Sequence, residues 1–567
     1  MTVDLAPFAL PTLRKVFQSS VKNTIGEAEC FWDVKFYPHD TADNAAPVFA
    51  VSNKNTIFVA RIANTETGDI EILRTFTVDS GDEDRYLADP QADLFVACAW
   101  AFLNQDEPLL LGAGDNGLIR VFNVVQGGLE TTLQGHGHGS INDLAVHPLY
   151  PWIVASASQD TSIRVWDLRR SVARHESPSI IICGHGHGHL QSILTVAWHD
   201  SGRYLISGGH DNRICVWTLP DLAPESSFWE EISPRQRERT SDEIRVIHFP
   251  HLVTSAVHSS FVDCVRFYND RVLSKSSEEC KIVLWEITGF ASNLPPPDNI
   301  LAPKGQDHLD TRNGFMRTQT TLPSGISKVV LKQELQDKAK FTRLLEFSVP
   351  ECTSFYMRFE LLKPSARYPN IHPVLAIGNN LSQVFFWDLD ALNLGYDGTV
   401  ARSRKGGRSK RAGKAGPQTT AERGTRRQTS PSSAAGQAPA AGPPRVPTPF
   451  SDNSSTGRAS PVTQHTPSLD HSDEIVEPQA DRERFPLDDP HTPVKAQCTV
   501  QLKPKTLKAD LVTTTRSISW SPDGKWCIAT GGTFEYVGSA GPHGRRPGKE
   551  RRLKGIGFAG IMGRWTS

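Results

Sequence analysis

One pattern returns along this chain and constrains its fold more than any other feature. It is a short apolar strand, a second strand of small residues, a turn carrying Asp or Asn, and a third strand ending in Trp. The clearest copies are "INDLAVHPLYPWIVASASQDTSIRVWDL" (141–168), "ILTVAWHDSGRYLISGGHDNRICVWTL" (193–219) and "FVDCVRFYNDRVLSKSSEECKIVLWEI" (261–287). Weaker copies occupy 94–124 and 355–389, while 31–62 and 517–532 fit as the first and last. Apolar–polar alternation, β-branched residues and Gly/Asn/Asp turns mark all of these segments as strands.

Phe122 and Trp166 stand one copy apart, at the spacing of roughly 40–45 residues expected of WD40 blades. Seven copies predict an all-β chain folded as a seven-bladed WD40 β-propeller. Ser156, Asp160 and Trp166 fall at the same offsets as Ser207, Asp211 and Trp217. In WD40 blades these positions join the histidine of a preceding "GH" in a hydrogen-bonded network, and buried polar groups stabilise only when all are satisfied. His189 is placed for the fourth blade; His136 and His138 both fit the third. "RKVFQSSV" (14–21) is expected to close the ring by completing the last blade.

The expected organisation is an N-terminal tail (1–13), blades one to six with the closing strand (14–392), a long disordered insertion between blades six and seven (393–495), the start of blade seven (496–532) and an atypical tail (533–567). Residues 220–250 and 290–330 read as polar, Pro-containing loops. The insertion begins basic, turns Pro/Ser/Ala-rich and ends acidic, a composition unable to bury a core. The tail is Gly-rich and basic without strand alternation, so either blade seven is incomplete or the tail is a gene-model error; the error is the favoured reading, since a missing strand would expose the ring's closing edge.

Net charge is −1 over 567 residues, so charge alone selects no partner class. The 9 cysteines are scattered, form no C-x-x-C pair and mostly sit in apolar runs such as "FVACAW". They read as reduced buried thiols of a cytosolic or nuclear protein, not as disulfides or a zinc site. No apolar run is long enough to cross a bilayer, and "MTVDLAPFALPTLRK" lacks the basic and apolar regions of a secretory signal. "GAGDNG" (112–117) matches a dinucleotide fingerprint but lies between two strands and opens no helix, so it is a hairpin turn. "GHGHG" (135–139) and "GHGHGH" (184–189) read as lengthened loops, since no acidic or Cys ligands accompany them. No metal or cofactor is expected. The basic run at 402–414 reads equally as a functional segment, a nuclear-import signal or a non-specific phosphate contact with nucleic acid, or as a solvated linker, with import ahead of specific DNA recognition. Ser430, Thr448, Ser460, Thr466 and Thr492 each precede Pro and are candidate phosphate acceptors.

Several strings resemble the Polycomb EED/ESC family, the WD40 subunit of Polycomb repressive complex 2. They are "FYMRF" (355–359), "VDCVR" (262–266) with "LSKS" (273–276), "CAW" (98–100), "GN…WDL" (378–389) and "IHFP" (247–250). The resemblance covers nearly all of 14–390 and 510–532. It implies a nuclear, non-catalytic protein that holds a helix of an Enhancer-of-zeste-type SET-domain methyltransferase on one face and shares a complex with a zinc-finger Polycomb subunit. At the other mouth of the channel it would read trimethylated lysine on the histone H3 tail and stimulate the enzyme. It also assigns residues. Trp32 falls on a family cage phenylalanine, Phe355 on a cage-side tryptophan, Tyr356 is retained, and Arg358 matches an arginine near the peptide. Val96 stands where the family has a cage tyrosine, a wall for which Phe95 or Tyr86 would have to substitute. From the residues alone, the Phe355–Tyr356 pair reads as packing between blades. A WD40 scaffold of another assembly, such as a ubiquitin-ligase substrate receptor, would share the propeller and need no cage. No nucleophile elbow, Walker loop or metal-binding His-Glu spacing survives its context, so an enzyme is not expected.

Overall fold

The computed structural model describes residues 10–18, 30–39, 46–64, 66–78, 94–104, 107–171, 178–183, 187–232, 244–297, 314–336, 338–393, 490–502, 514–532 and 557–563. The chain divides into two units, one of which, residues 401–479, lies wholly outside the described residues. So do the basic run at 402–414, Ser430, Thr448, Ser460, Thr466 and Tyr86.

A four-stranded antiparallel sheet has two apolar faces to cover, and here each sheet covers its neighbours. Phe31–Phe36, Phe95–Phe102, Ile141–Val146, Ile193–Trp198, Val262–Tyr268, Glu360–Leu362 and Thr514–Trp520 are the innermost strands of seven successive sheets. Each packs on the next, and the last returns to the first, so the ring closes around a central channel. The core lies between blades. Ile206, Val216 and Leu252 of blade four, for instance, interleave with Val265, Val272, Val283 and Trp285 of blade five.

Carboxylates and hydroxyls on the inner strands lace adjacent blades together. Asp33 accepts the Cys98 N–H at 3.1 Å from blade two and the Ser517 hydroxyl at 2.7 Å from blade seven. Asp143 accepts the Val196 N–H at 3.0 Å from blade four. Burial alone would raise the Asp33 carboxyl, but the Lys35 ammonium and Arg358 guanidinium hold it below its ordinary value.

Within the blades the polar network closes. His136, not His138, lies 2.8 Å from Asp160 and 2.7 Å from Ser156, whose oxygen accepts the Trp166 indole at 2.9 Å. His189 is 3.0 Å from Asp211 and 2.9 Å from Ser207, which accepts Trp217 at 3.0 Å. A third network, unforeseen in the sequence, joins His258 to Glu279 at 2.6 Å and to Ser274 at 2.7 Å, with Trp285 donating to Ser274 at 2.9 Å. A neutral imidazole protonated at Nδ1 satisfies every member of such a set: indole to serine oxygen, serine hydroxyl to Nε2, and Nδ1–H to carboxylate.

Four readings of the sequence change. One stretch of the tail joins the fold: Gly557–Gly563 pairs with Trp526–Gly532 on one side and with Thr12–Gln18 on the other, so blade seven has its four strands. Small glycines spoil the alternation there, yet Ile561 and Met562 still reach the core. The boundary at 496 also moves, because Cys498–Gln501 pairs with Gln383–Asp388 and is the outer strand of blade six. The long insertion therefore leaves after Asn393, before that last strand. On its return Val494 bridges the outer strand of blade five, donating to the Glu346 carbonyl at 2.6 Å and accepting from Ser348 at 2.9 Å. The segment 220–250 holds a helix, Ser227–Ile232, which buries Phe228 and Trp229, and a strand, Arg245–Ile247, which extends blade three in parallel. Finally, 290–330 contains most of a hairpin, Arg317–Thr321 with Ser327–Leu331.

Candidate functional site

Every described inner strand except that of blade six slips register near its start, at the second residue in blades one to five and at the third in blade seven. A bulge leaves that residue unpaired and re-aims its side chain. The residues so placed are Trp32, Val96, Asn142, Leu194, Asp263 and Arg516. Successive inner strands run alike around the channel, so these positions gather at one mouth.

Blade six reaches the same mouth by other means. Strand alternation predicts opposite fates for Phe355 and Tyr356, but residues 352–359 are irregular and the strand starts only at Glu360. Tyr356 takes a φ of 66°, rare for a bulky side chain. This turn puts both rings into one cluster. The Trp32 and Tyr356 rings meet edge to face at 6.1 Å and 89°, and Phe355 meets Tyr356 at 5.0 Å and 73°. Phe355 is 38% exposed whereas Tyr356 is only 6% exposed, so Phe355 forms the open wall and Tyr356 the back.

Beneath the rings the site is anchored across the channel. The Tyr356 hydroxyl and the Arg358 guanidinium both donate to the Asn142 carbonyl on blade three. Arg358 also donates to Asp143 at 2.5 Å, and its guanidinium carbon lies 4.8 Å from the Tyr356 ring centroid. Burial, chiefly, pushes the Tyr356 phenol well above its ordinary value, so it stays a donor.

The structure thus brings Trp32, Phe355 and Tyr356 together over Arg358. Val96 occupies an equivalent bulge and is buried, but supplies only methyl surface. Phe95 does not stand at the mouth beside Val96: it is 3% exposed and packs edge to face on Phe122 at 6.3 Å in the core between blades one and two. Two residues that sequence reasoning missed extend the aromatic surface. His210 lies 5.4 Å from Phe355 and 4.9 Å from Phe261, which is 39% exposed. His210 sits in a blade-four turn whose sequence carries no sign of this neighbourhood.

Near the other ends of inner strands one and two lies an apolar cavity of about 400 Å³, lined by Phe36, Tyr37, Val48, Trp100, Pro108 and others, with Arg74 beside it. Among the described residues, no group of three or more His, Cys, Asp or Glu side chains is placed to hold a metal ion.

Ring closure, the Ser–His–carboxylate–Trp networks and the aromatic mouth define a WD40 β-propeller, and a family model for the WD domain, G-beta repeat, matches residues 127–167 and 181–218. The chain is 38% identical over 406 residues to Polycomb protein EED of Chaetomium thermophilum, covering 68% of this chain and 62% of that relative's length. It belongs to the Polycomb EED/ESC family of WD40 proteins. It is also 28% identical over 348 residues to Polycomb protein esc of Drosophila melanogaster, covering 60% of this chain and 66% of that one. Among solved structures it resembles a chain of Chaetomium thermophilum Polycomb Repressive Complex 2 in complex with H3K27me3, with a TM-score of 0.62, 28% identity and 98% of each chain covered.

Proposed function

We propose that this chain is a non-catalytic scaffold and methyl-lysine reader of a nuclear Polycomb complex that methylates histone H3 on lysine 27. The observation that carries the reading is the convergence of Trp32, Phe355 and Tyr356 from two blades on one mouth. A trimethylammonium cannot donate hydrogen bonds and is weakly hydrated, so aromatic faces hold it by cation–π attraction and apolar contact. Each desolvated ring contributes roughly 0.5–2 kcal/mol. Val96 in place of a ring costs on the order of 1 kcal/mol, a several-fold loss of affinity.

The scaffold half of the proposal assigns the opposite mouth to an amphipathic helix of the SET-domain subunit, with apolar side chains entering the cavity between Phe36 and Trp100. A zinc-finger Polycomb subunit completes the assembly. Binding of the mark would bias the enzyme toward its active state, a coupling usually worth about 1–3 kcal/mol.

Calorimetry of the full chain with H3 tail peptides, trimethylated and unmodified at lysine 27, tests the reader role. Preference for the trimethylated peptide, lost in Tyr356→Ala, is expected; equal binding of both peptides overturns it. Capture from nuclear extract tests the scaffold role, which fails if no SET-domain methyltransferase co-purifies.

A further inference from the structure

One residue ties the aromatic cluster together without contributing a ring to it. Arg516 is the bulged residue at the start of blade seven's inner strand and is 7% exposed. Its backbone carbonyl accepts the Arg358 N–H at 2.8 Å. Its guanidinium donates to the Phe355 carbonyl and lies over the Trp32 ring, the carbon 5.4 Å from the centroid. Arg516 therefore touches both aromatic segments, from blade one and from blade six, while belonging to neither.

The bond to the Phe355 carbonyl has a specific consequence. That carbonyl belongs to the peptide unit leading into Tyr356, whose φ of 66° is a conformation that a bulky side chain adopts only when its surroundings impose it. Fixing the peptide plane fixes the direction in which the Tyr356 ring leaves the backbone. Its place over the Trp32 ring, 5.4 Å from the centroid, ties that ring to the same guanidinium. Arginine suits both tasks, since its planar fork donates in the plane while its face stacks on an aromatic ring; lysine can supply charge and a donor but not the stack.

We infer that Arg516 is the positioning residue of the reading mouth. It holds Trp32 and the Phe355–Tyr356 turn at the separation that a trimethylammonium requires, and touches no methyl group itself. The inference rests on the reader function proposed above. It adds that selectivity for the methylated cation is set from blade seven, which contributes no aromatic wall.

The test measures the affinity ratio of the full chain for trimethylated over unmodified H3 tail peptide in the wild type, Arg516→Ala, Arg516→Met and Arg516→Lys. Thermal melting and capture of the SET-domain subunit at the opposite mouth are read in parallel. We expect the ratio to fall about tenfold in the Ala and Met variants, the loss of a charged hydrogen bond. The Lys variant should recover part of it, and partner capture should not change in any variant. A folded Ala or Met variant with the wild-type ratio overturns the inference. If neither variant folds, the Lys variant decides, since an unchanged ratio there overturns the requirement for a guanidinium. A wild-type chain with no preference for the methylated peptide instead removes the reader function itself, so the two failures are distinguishable.

Discussion

Arg358 of blade six and Asp143 of blade three meet at 2.5 Å although 215 positions separate them in the chain. Both side chains are buried, at 4% and 3% exposure. The same guanidinium lies beneath Tyr356 and shares the Asn142 carbonyl with its hydroxyl. An ion pair in this position does two things: it bridges the channel, and it provides the floor on which the aromatic mouth stands.

Breaking that pair on one side strands a buried charge. Asp143→Ala is expected to lower the unfolding free energy by about 3–5 kcal/mol, read by urea denaturation, and to weaken binding of the trimethylated peptide. Adding Arg358→Leu to it should restore part of the stability, because no unpaired charge then remains. A double variant less stable than Asp143→Ala alone contradicts this account.

The rings themselves should be separable by calorimetry. Phe355→Ala and Tyr356→Ala each forfeit roughly 0.5–2 kcal/mol of trimethyl-lysine binding. Tyr356→Phe keeps the ring and loses only the bond to Asn142, so its effect should be smaller. Val96→Tyr restores an aromatic wall and should tighten binding several-fold. Equal affinities across this series would remove the cage from the mechanism.

Acid should unfold the ring in two steps. Burial pushes the His136 and His258 imidazoles below their ordinary value of 6.5, although their carboxylate partners pull the other way. At Glu279, burial opposes ionisation, yet the His258 hydrogen bond and charge bring its carboxyl down from 4.5 to about 2. A group with a depressed folded pKa contributes stability that is present above its unfolded value and lost as pH falls through its folded one. Stability should therefore begin to fall below about pH 6.5, as the unfolded histidines take up protons. It should fall again between 4.5 and about 2, and Glu279→Gln should blunt that second step. Chemical denaturation at stepped pH checks both limbs, and a flat profile across this window would refute them.

The tail strand can be tested as part of the ring. Met562 is fully buried among Phe386, Trp520 and Cys527 at the seam of blades six and seven. Met562→Ala is expected to cost about 2–5 kcal/mol. Deleting 557–563 would expose the edge of Thr12–Gln18, and size-exclusion chromatography should then show association through that edge. A deleted chain that stays monomeric with unchanged melting would return the tail to the status of an appendage.

Much of the fold was legible because WD40 chemistry is local. Ser156, Asp160 and Trp166 sit within one hairpin, so fixed offsets reveal them, and the same offsets find Ser207, Asp211 and Trp217. The network of blade five escaped because its turn is one residue longer. Trp285 stands 11 positions from its serine where the other tryptophans stand 10, and Glu279 replaces the aspartate. The strand Gly557–Gly563 escaped because glycines erase the alternation by which strands are recognised, while pairing on both sides supplies what the sequence lacks.

By itself, then, the sequence determined the repeat and the seven blades, since each depends on periodicity or on a short motif, whereas the residues of the candidate mouth came from the family resemblance and read as packing without it. Tertiary structure alone decided which of His136 and His138 enters the network, that Gly557–Gly563 stands between Trp526–Gly532 and the N-terminal closing strand, and that Phe95 does not fill the place beside Val96. It also decided that Arg358 pairs with Asp143 and that Arg516 spans two other blades. The physical reason is common to all of these. They are contacts between blades, made when the ring closes and brings inner strands from distant parts of the chain to a single channel, where separation along the sequence carries no information about distance in space.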